Sequence, residues 1–337
     1  MTLQLKYTSD WNFEREHNID DEVFQETYID DKECEIESSN WKPIQAKAIE
    51  QFPYVIVDGT EKTHEVLKND KSYIILGSIA VGAVELSNDG SKILEESNSG
   101  VNRYSIQYVP DNQVSQKIED IIINIGNQRI KFEGKKHTDS TKTIVLNSKK
   151  NLMENLTALM SQSERKLADH LAKSYKLVFL DGPIVQPSKT KDNIVGYIKG
   201  LQRYYISTKK QLLLPQLKSG ERTPIFRITS EYGNKLSWFL CIKKFDENFF
   251  DFTAGLMRIE VTENPRNKKM IQQAISYADF TTAIFPSLAS ERFRDPRSPH
   301  NLTPVGELEK RIKHLIGDKE IIDRGIRSYI YAQNKEQ

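Results

Sequence analysis

The sequence predicts an α/β protein in which helices flank a mixed β-sheet core. Two continuous apolar segments, 54–59 (YVIVDG) and 176–183 (KLVFLDGP), are typical of strands that are buried on both faces of a sheet. A third apolar segment, 72–86, is rich in β-branched residues and suits one or two central strands. Leucines at near-helical spacing over 150–173 predict a long helix with one apolar face.

The remaining elements follow in order along the chain. We predict a short helix at 41–51, a β-rich antiparallel segment at about 87–150 with a turn at 88–90, mixed strand and helix at 194–217, strands at 236–245 and 255–261, a helix at 269–285, a Pro-rich loop at 286–302 and a last helix at 304–316. Val305, Leu308, Ile312 and Leu315 are expected to form the apolar face of that last helix. The simplest partition is an appendage of residues 1–40 followed by one domain over 41–337.

Composition narrows the class of protein. The chain has 337 residues, which is enough to bury a core without disulfides or a structural metal. Its two cysteines, Cys34 and Cys241, are far apart and too few for a four-cysteine zinc site or a disulfide framework. No apolar run approaches the ~18 residues of a membrane span, and no secretion signal precedes the first strand. We therefore expect a cytoplasmic protein without membrane association.

The charge is distributed unevenly along the chain. The formal net charge is +1, but residues 1–40 hold 12 acidic and 3 basic residues, a net of −9. The rest of the chain has 45 basic and 35 acidic residues, a net of +10. A basic body is typical of proteins that meet nucleic acid. The acidic segment could dock on a partner, cover the basic surface, or be an irregular solvated surface segment.

Two aspartates mark the ends of the two apolar strands. Asp58 and Asp181 each follow such a strand directly and each precede a glycine. α/β sheets build their sites at the carboxyl ends of strands, and neighbouring strands lie about 5 Å apart. The two carboxylates could then share Mg²⁺ or Mn²⁺, which prefer oxygen ligands. The alternative is that each Asp-Gly pair is a plain turn signal.

A third carboxylate is available from the long helix before the second strand. Glu164 shares a helix edge with Met160, Ala168 and Leu171, so we expect it to face the core. Burying a carboxylate costs free energy unless a metal or a cationic side chain lies nearby. Glu154 and Asp169 on the same helix are competitors, and Glu164 could instead be an ordinary exposed charge paired with Lys or Arg.

A basic segment follows the second aspartate. Residues 186–227 contain nine Lys/Arg and two acids, and Tyr197, Tyr204 and Tyr205 are interleaved with them. Cations neutralise phosphates and aromatic rings stack on bases, which is the requirement for binding single-stranded nucleic acid. A solvated Lys-rich surface would give the same pattern.

One histidine of six has suggestive neighbours in sequence. His300 lies in PRSPHNLTP, just before the last predicted helix, and Arg292, Arg294 and Arg297 precede it. Such a residue could donate a proton, bind a metal or contact a phosphate. It could equally be a structural histidine.

Taken in order, the motifs VDGT, the acidic helix, LDGP, VGYIKG, LMRIEV and the proline-flanked histidine resemble the NurA nuclease family over about 45–316. The resemblance implies an RNase H-like fold, Mn²⁺ or Mg²⁺ as cofactor, degradation of DNA, a homodimer, and a hexameric HerA-like DNA-translocating ATPase as partner.

The resemblance also implies roles for single residues. Asp58, Glu164 and Asp181 would be the metal ligands, and His300 would complete the catalytic set. Lys199 and Arg258 would face phosphate. Independently of the resemblance, Arg203 and Tyr204 of the basic segment and Arg297 beside His300 are added to the expected DNA-binding set.

The function expected from this set is a metal-dependent DNA nuclease, exonuclease or endonuclease, acting in DNA end processing or in defence against foreign DNA. The alternatives are an inactive DNA-binding subunit that regulates a motor ATPase, and another RNase H-like nuclease.

Overall fold

The computed structural model of the chain describes residues 34–68, 73–94, 100–108, 119–137, 149–201, 203–245, 251–291 and 298–335. Most of the acidic segment, the β-like piece at 143–146 and the arginines 292, 294 and 297 lie outside the described residues. The chain divides into two compact units. The first unit comprises residues 1–57, 84–92 and 168–307, and the second comprises 58–83, 93–167 and 308–337.

The strands and helices of the described chain occur in runs, with seven strands before the first helix and three helices at the end. The strands are β1 Ile44–Gln45, β2 Tyr54–Lys68, β3 Tyr73–Ser87, β4 Gly90–Leu94, β5 Gly100–Tyr108, β6 Ile121–Ile125, β7 Gln128–His137, β8 Val178–Asp181, β9 Ile194–Ile198, β10 Glu221–Arg222, β11 Phe226–Ile228, β12 Lys235–Cys241 and β13 Leu256–Thr262. The helices are α1 Lys149–Leu171, α2 Thr208–Gln211, α3 Met270–Leu288, α4 Thr303–Ile316 and α5 Lys319–Lys335. Within the described ranges, no helix is long and apolar enough to cross a membrane.

The first unit contains a mixed sheet in the order β1-β10-β12-β13-β9-β8-β2. β8 runs parallel to the start of β2 and to β9, whereas the pairs β9–β13, β13–β12, β12–β10 and β10–β1 are antiparallel. Every residue of β12 and β13 is buried, so both faces of these strands are covered. Phe280 and Phe285 of α3 pack on Phe179 of β8. The predicted mixed α/β architecture is confirmed.

The second unit pairs β3 with β5, β5 with β7 and β7 with β6. Leu152 and Leu156 of α1 pack against Ile75 and Ile79 of β3, as the leucine spacing predicted. Gly77 lets α1 approach, because a Cβ there would lie 2.5 Å from Leu156 Cδ2. α5 packs on β6 and β7 and closes a second apolar cluster.

Two predicted elements are wrong at the start of the chain. Residues 41–51 are not a helix, because Ile44–Gln45 pairs with β10 instead, and this tertiary pairing overrides helix propensity. β2 does not stop at Asp58-Gly59 but continues to Lys68. Asp58 therefore lies inside a strand rather than at its carboxyl end, and the glycine serves a purpose other than a turn.

Four further predictions needed correction, and one was confirmed. The segment 87–150 is not wholly antiparallel, because β5 and β7 are parallel. The turn before Gly90 is present, with φ +118° at that glycine. α3 extends through Pro286 to Leu288, and α4 is followed by α5, since Gly317 at φ +96° ends α4 and the chain resumes a helix at Lys319. Leu315 is exposed, and Ile316 takes its expected place in the core.

Candidate functional site

Asp58 and Glu164 belong to the second unit and are both 5% exposed. The Gly59 N–H donates to Asp58 Oδ1 at 2.9 Å. A Cβ on Gly59 would lie 2.6 Å from Glu164 Oε1 and 3.1 Å from its Cδ. The missing side chain of Gly59 therefore leaves the space that the Glu164 carboxylate occupies, against the residue that follows Asp58.

The burial of Glu164 separates it from its competitors on α1. Glu154 and Asp169 are partly exposed, whereas Glu164 faces the interior as the helix pattern predicted. The buried carboxylates of Asp58 and Glu164 both lie beside Gly59. Burial disfavours the charged form of a carboxyl group, so a cation near the two would stabilise them. Their oxygens are the donor type that Mg²⁺ and Mn²⁺ prefer. By donor chemistry the residues fit a divalent cation.

The described residues do not form a complete metal cage. Across the described ranges, no group of three or more His, Cys, Asp or Glu side chains is arranged to hold an ion. The shared-cation set of Asp58, Glu164 and Asp181 thus stays a prediction.

Asp181 lies in the first unit and is paired with a lysine. It is the last residue of β8 and is the register partner of Tyr197 in β9. Lys199, one residue beyond β9, donates from Nζ to Asp181 Oδ2 at 2.6 Å, and its Nζ lies 5.4 Å from the Tyr197 ring centroid. Lys199 is only 6% exposed, so its ammonium group lies beside this aspartate largely shielded from solvent.

Two glycines allow the segments LDGP and VGYIKG to pack against each other. Gly182 has φ +100°, a conformation that favours glycine, and its N–H donates to Tyr197 O at 2.9 Å. A Cβ on Gly196 would lie 2.7 Å from Gly182 O. The turn after Asp181 can pack on β9 only because Gly196 has no side chain.

Arg258 is buried against the loop that follows β9. It is 4% exposed, its Nη1 donates to Arg203 O at 3.2 Å, and its guanidinium lies 4.5 Å from the Tyr205 ring centroid. Tyr205 has φ +54°, a strained conformation for a bulky residue. Tyr204 packs on Phe239 of β12 with ring centroids 6.0 Å apart. Arg258 and Arg203 are therefore brought together, with the guanidinium turned onto protein groups.

His300 lies in the first unit, 1% exposed, at the start of β13. Its Nε2 lies 3.1 Å from both the Gly255 N–H and the Leu256 carbonyl, so either tautomer makes a hydrogen bond to this backbone. Burial, together with the charge of Lys199 and against the hydrogen bond to Leu256, lowers the pKa of His300 to about 4. The imidazole is neutral at pH 7.

The basic segment 186–227 is not a uniform solvated stripe. Lys199 is held by Asp181, and Arg222 is fully buried between Glu37 (2.7 and 2.8 Å) and Asp279 (2.8 Å). Arg227 makes a two-bond pair with Glu263. The exposed members include Lys189, Lys209 and Lys218.

Sequence reasoning missed two charged residues in the buried sheet. Glu260 of β13 is 0% exposed and Lys235 of β12 is 2% exposed. A signal for Glu260 was available, because LMRIEVT is otherwise suited to a buried strand and a charge within it requires a partner. Lys235 stands at the first position of its strand, where a lysine attracts no notice.

These observations define a mixed α/β protein with a pair of buried carboxylates in one unit and an Asp–Lys pair in the other. A comparison with protein-family models matches the NurA domain over residues 56–307. Because the match covers most of the chain, the protein belongs to the NurA family, which is a family of nucleases.

The chain was also compared with solved structures and with curated proteins. Among solved structures, the chain is similar to the NurA nuclease from Sulfolobus solfataricus, with 10% identity, a TM-score of 0.44, and coverage of 82% of this chain and 86% of that one. No curated protein matches the sequence.

Proposed function

We propose that the protein is a metal-dependent deoxyribonuclease that hydrolyses phosphodiester bonds on an RNase H-like core, with Mn²⁺ or Mg²⁺ as cofactor. The observation that supports this best is the Glu164 carboxylate, buried in the space that Gly59 leaves beside Asp58. Membership of a nuclease family gives the reaction class. The donor chemistry of the two carboxylates supports the choice of metal.

Asp58, Glu164 and Asp181 are the proposed ligands. The grouping of these three carboxylates rests on the family resemblance and on their donor chemistry. When bound, a divalent cation lowers the pKa of a water and neutralises charge on the leaving oxygen. The protein would supply the carboxylates, hold them in place, and bring the phosphate to them.

Cationic and aromatic residues would bind the DNA. Lys199 Nζ, 2.6 Å from Asp181, adds positive charge beside that carboxylate and is the proposed phosphate contact. Arg203, Tyr204 and Arg297 are the proposed DNA-binding residues around it, the last of them outside the described residues. Arg258 would act by holding the loop of Arg203, since its guanidinium already contacts Arg203 O.

His300 has a narrower proposed role than proton donation. A pKa of about 4 leaves no proton to deliver to a leaving group at neutral pH. Its hydrogen bond to the backbone at Gly255 or Leu256 supports a positioning role at the start of β13.

The partners follow from the family resemblance alone. We propose a homodimer that works in the cytoplasm with a HerA-like hexameric ATPase, in DNA end processing or in defence against foreign DNA. Co-purification with the ATPase and light scattering of the protein alone test these two associations separately.

The central test is Asp58→Asn. We expect it to abolish Mn²⁺-dependent cleavage of linear DNA while DNA binding in a gel-shift assay remains, because the charge that holds the cation is lost but the basic residues are not. Asp89→Asn, in the turn before Gly90, is the control and should cleave normally.

Two results would contradict the proposal. One is full activity of the Asp58→Asn protein after removal of contaminating nuclease. The other is a wild-type protein that binds DNA yet cleaves none with any metal, alone or with the ATPase, which would favour an inactive DNA-binding subunit.

A further inference from the structure

A buried ion pair in the first unit holds the backbone of a single residue, Ile184. Lys235 Nζ and Glu260 Oε1 are 2.9 Å apart. The Ile184 N–H donates to Glu260 Oε1 at 2.7 Å, and Lys235 Nζ donates to Ile184 O at 3.3 Å. Both backbone groups of Ile184 are therefore bound by the two members of one ion pair.

Stability alone is a poor reason for this arrangement. Removing two charges from water costs several kcal/mol per ion, and replacing a buried ion pair with apolar residues of similar volume is often neutral or stabilising. Glu260 is 0% exposed and Lys235 is 2% exposed, so the cost applies to both. A direct consequence of the pair is the fixed position of Ile184.

Ile184 lies three residues after Asp181, at the far end of the turn Gly182-Pro183. The near end is fixed by the pairing of β8 with β9 and by the Gly182 N–H bond to Tyr197 O. Gly196 admits the carbonyl of Gly182 beneath the turn. The ion pair fixes the remaining end, so the chain leaving Asp181 is held on both sides.

The ionisation of Glu260 is consistent with a permanent anchor. Burial raises the pKa of this carboxyl, but Lys235 and Arg258, with the hydrogen bonds from Lys235 and the Ile184 N–H, outweigh burial and hold the pKa below its ordinary value. The carboxylate stays charged at neutral pH and remains a strong acceptor for the Ile184 N–H.

We propose that Glu260 and Lys235 are positioning residues for Asp181, fixing its carboxylate through the backbone of the turn that follows it. The proposal rests on the proposed function to the extent that Asp181 is a metal ligand. Residues that orient a ligand from outside its contact shell typically change metal affinity or activity by about 10–100-fold when they are replaced.

The test compares two matched double variants. Lys235→Met with Glu260→Met removes both charges at similar length and leaves the Ile184 backbone unbound. Arg227→Met with Glu263→Met removes a second ion pair of the same sheet, between β11 and the residue that follows β13, whose two bonds of 2.6 and 2.7 Å join no residue of the Asp181 turn. Mn²⁺ affinity is measured by calorimetry, and amide exchange of residues 178–186 is measured by mass spectrometry without metal.

We expect the first double variant to bind Mn²⁺ about 10–100-fold more weakly than wild type and to exchange faster over 178–186. The control variant should match wild type in both readouts. Should the first variant fail to fold, Glu260→Gln decides, because it keeps an acceptor for the Ile184 N–H but loses the charge that holds Lys235. Its Mn²⁺ affinity should fall by a smaller factor.

Wild-type Mn²⁺ affinity and wild-type exchange in the folded variants would overturn the proposal. Failure of the proposed function looks different. In that case wild type binds no Mn²⁺, or Asp58→Asn and Asp181→Asn leave its affinity unchanged, while exchange over 178–186 still reports whether the ion pair holds the turn.

Discussion

At the residue scale, Gly59 shapes the candidate site because it lacks a side chain, and not because it forms a turn. Asp-Gly was expected to end the strand, yet β2 continues for nine residues beyond Gly59. What the glycine provides is space, since a Cβ would stand 2.6 Å from Glu164 Oε1 and 3.0 Å from Met160 Cγ. The glycine of the VDGT motif therefore allows the Glu164 carboxylate of α1 to lie against β2.

Gly59→Ala tests this directly. The new methyl group would push Glu164 Oε1 away, so we expect Mn²⁺ affinity to fall about 10-fold or more while the far-ultraviolet circular dichroism is kept. Gly100→Ala is the control, because a Cβ there meets nothing within 4 Å. Equal Mn²⁺ affinity of Gly59→Ala and wild type, measured by calorimetry, would count against Glu164 as a ligand.

At the element scale, a buried histidine joins β2, β3 and α5 in the second unit. His64 Nε2 lies 2.8 Å from Ser78 Oγ, and its Nδ1 lies 3.3 Å from Asp323 Oδ1. Lys319 pairs with the same aspartate from the preceding turn of α5. Nothing in the sequence near His64 indicated these partners, because Ser78 is 14 residues away and Asp323 is on the last helix.

His64 makes the stability of this unit sensitive to pH. The pKa of His64 is lowered to about 4, chiefly by burial; Asp323 opposes this shift, and Arg103 and Lys319 add to it. The unfolded state therefore takes up the proton at a higher pH than the folded state, near 6.5. Stability should fall as pH drops below 6.5 and continue to fall until about 4.

His64→Gln should remove that part of the pH dependence. Between pH 7 and pH 5, wild type is expected to lose about 2 kcal/mol more unfolding free energy than the variant, as follows from a histidine pKa near 6.5 unfolded and about 4 folded. Urea denaturation at both pH values measures the difference. His314→Gln, on the largely exposed face of α4, is the control, and a parallel loss in wild type and His64→Gln would refute the assignment.

At the scale of the whole chain, the end of the acidic segment is part of the first unit. Cys34 is buried in an apolar cluster with Phe239 and Cys241, and Glu37 makes a two-bond pair with the buried Arg222. Asp279 of α3 holds the same guanidinium. The −9 segment therefore ends in an anchor, and residues 34–40 have a role in packing apart from any docking or covering role of the residues before them.

Two truncations separate these roles. Deleting residues 1–40 removes Glu37 and leaves Arg222 with a single carboxylate, so this protein should be about 3 kcal/mol less stable to urea than one lacking only 1–33. Equal stability of the two proteins would contradict the anchor. Increased nonspecific DNA binding in the shorter deletion would support a covering role for residues 1–33, and lost association with an ATPase would support docking.

The elements predicted correctly are those whose own residues contain a recognisable apolar pattern. β3, β8, β12, β13 and α1 were all identified because a strand buried on both faces is continuously apolar and a helix on a sheet has a periodic apolar face. β1 was missed because two residues are held only by β10, far away in the chain. The parallel pairing of β5 with β7 was missed because strand direction depends on the path of the chain.

The same limit applies to the candidate site. The aspartates, Glu164 and Lys199 could be named because acids and cations stand out beside apolar strands. Glu260 and Lys235 could not be connected with Ile184, because their three positions are brought together only by the pairing of β12 with β13 and of β13 with β9.

The sequence by itself determined the α/β class, the family and the residue types available for chemistry. All three follow from local patterns of apolar residues and from short motifs. Only the tertiary structure decided that Gly59 makes room for Glu164, that Lys199 faces Asp181, and that the charge of Arg222 is held by Glu37. The physical reason is that a carboxylate or a cation acts over a few ångströms, and residues far apart in the chain reach such distances only when strands and helices have packed.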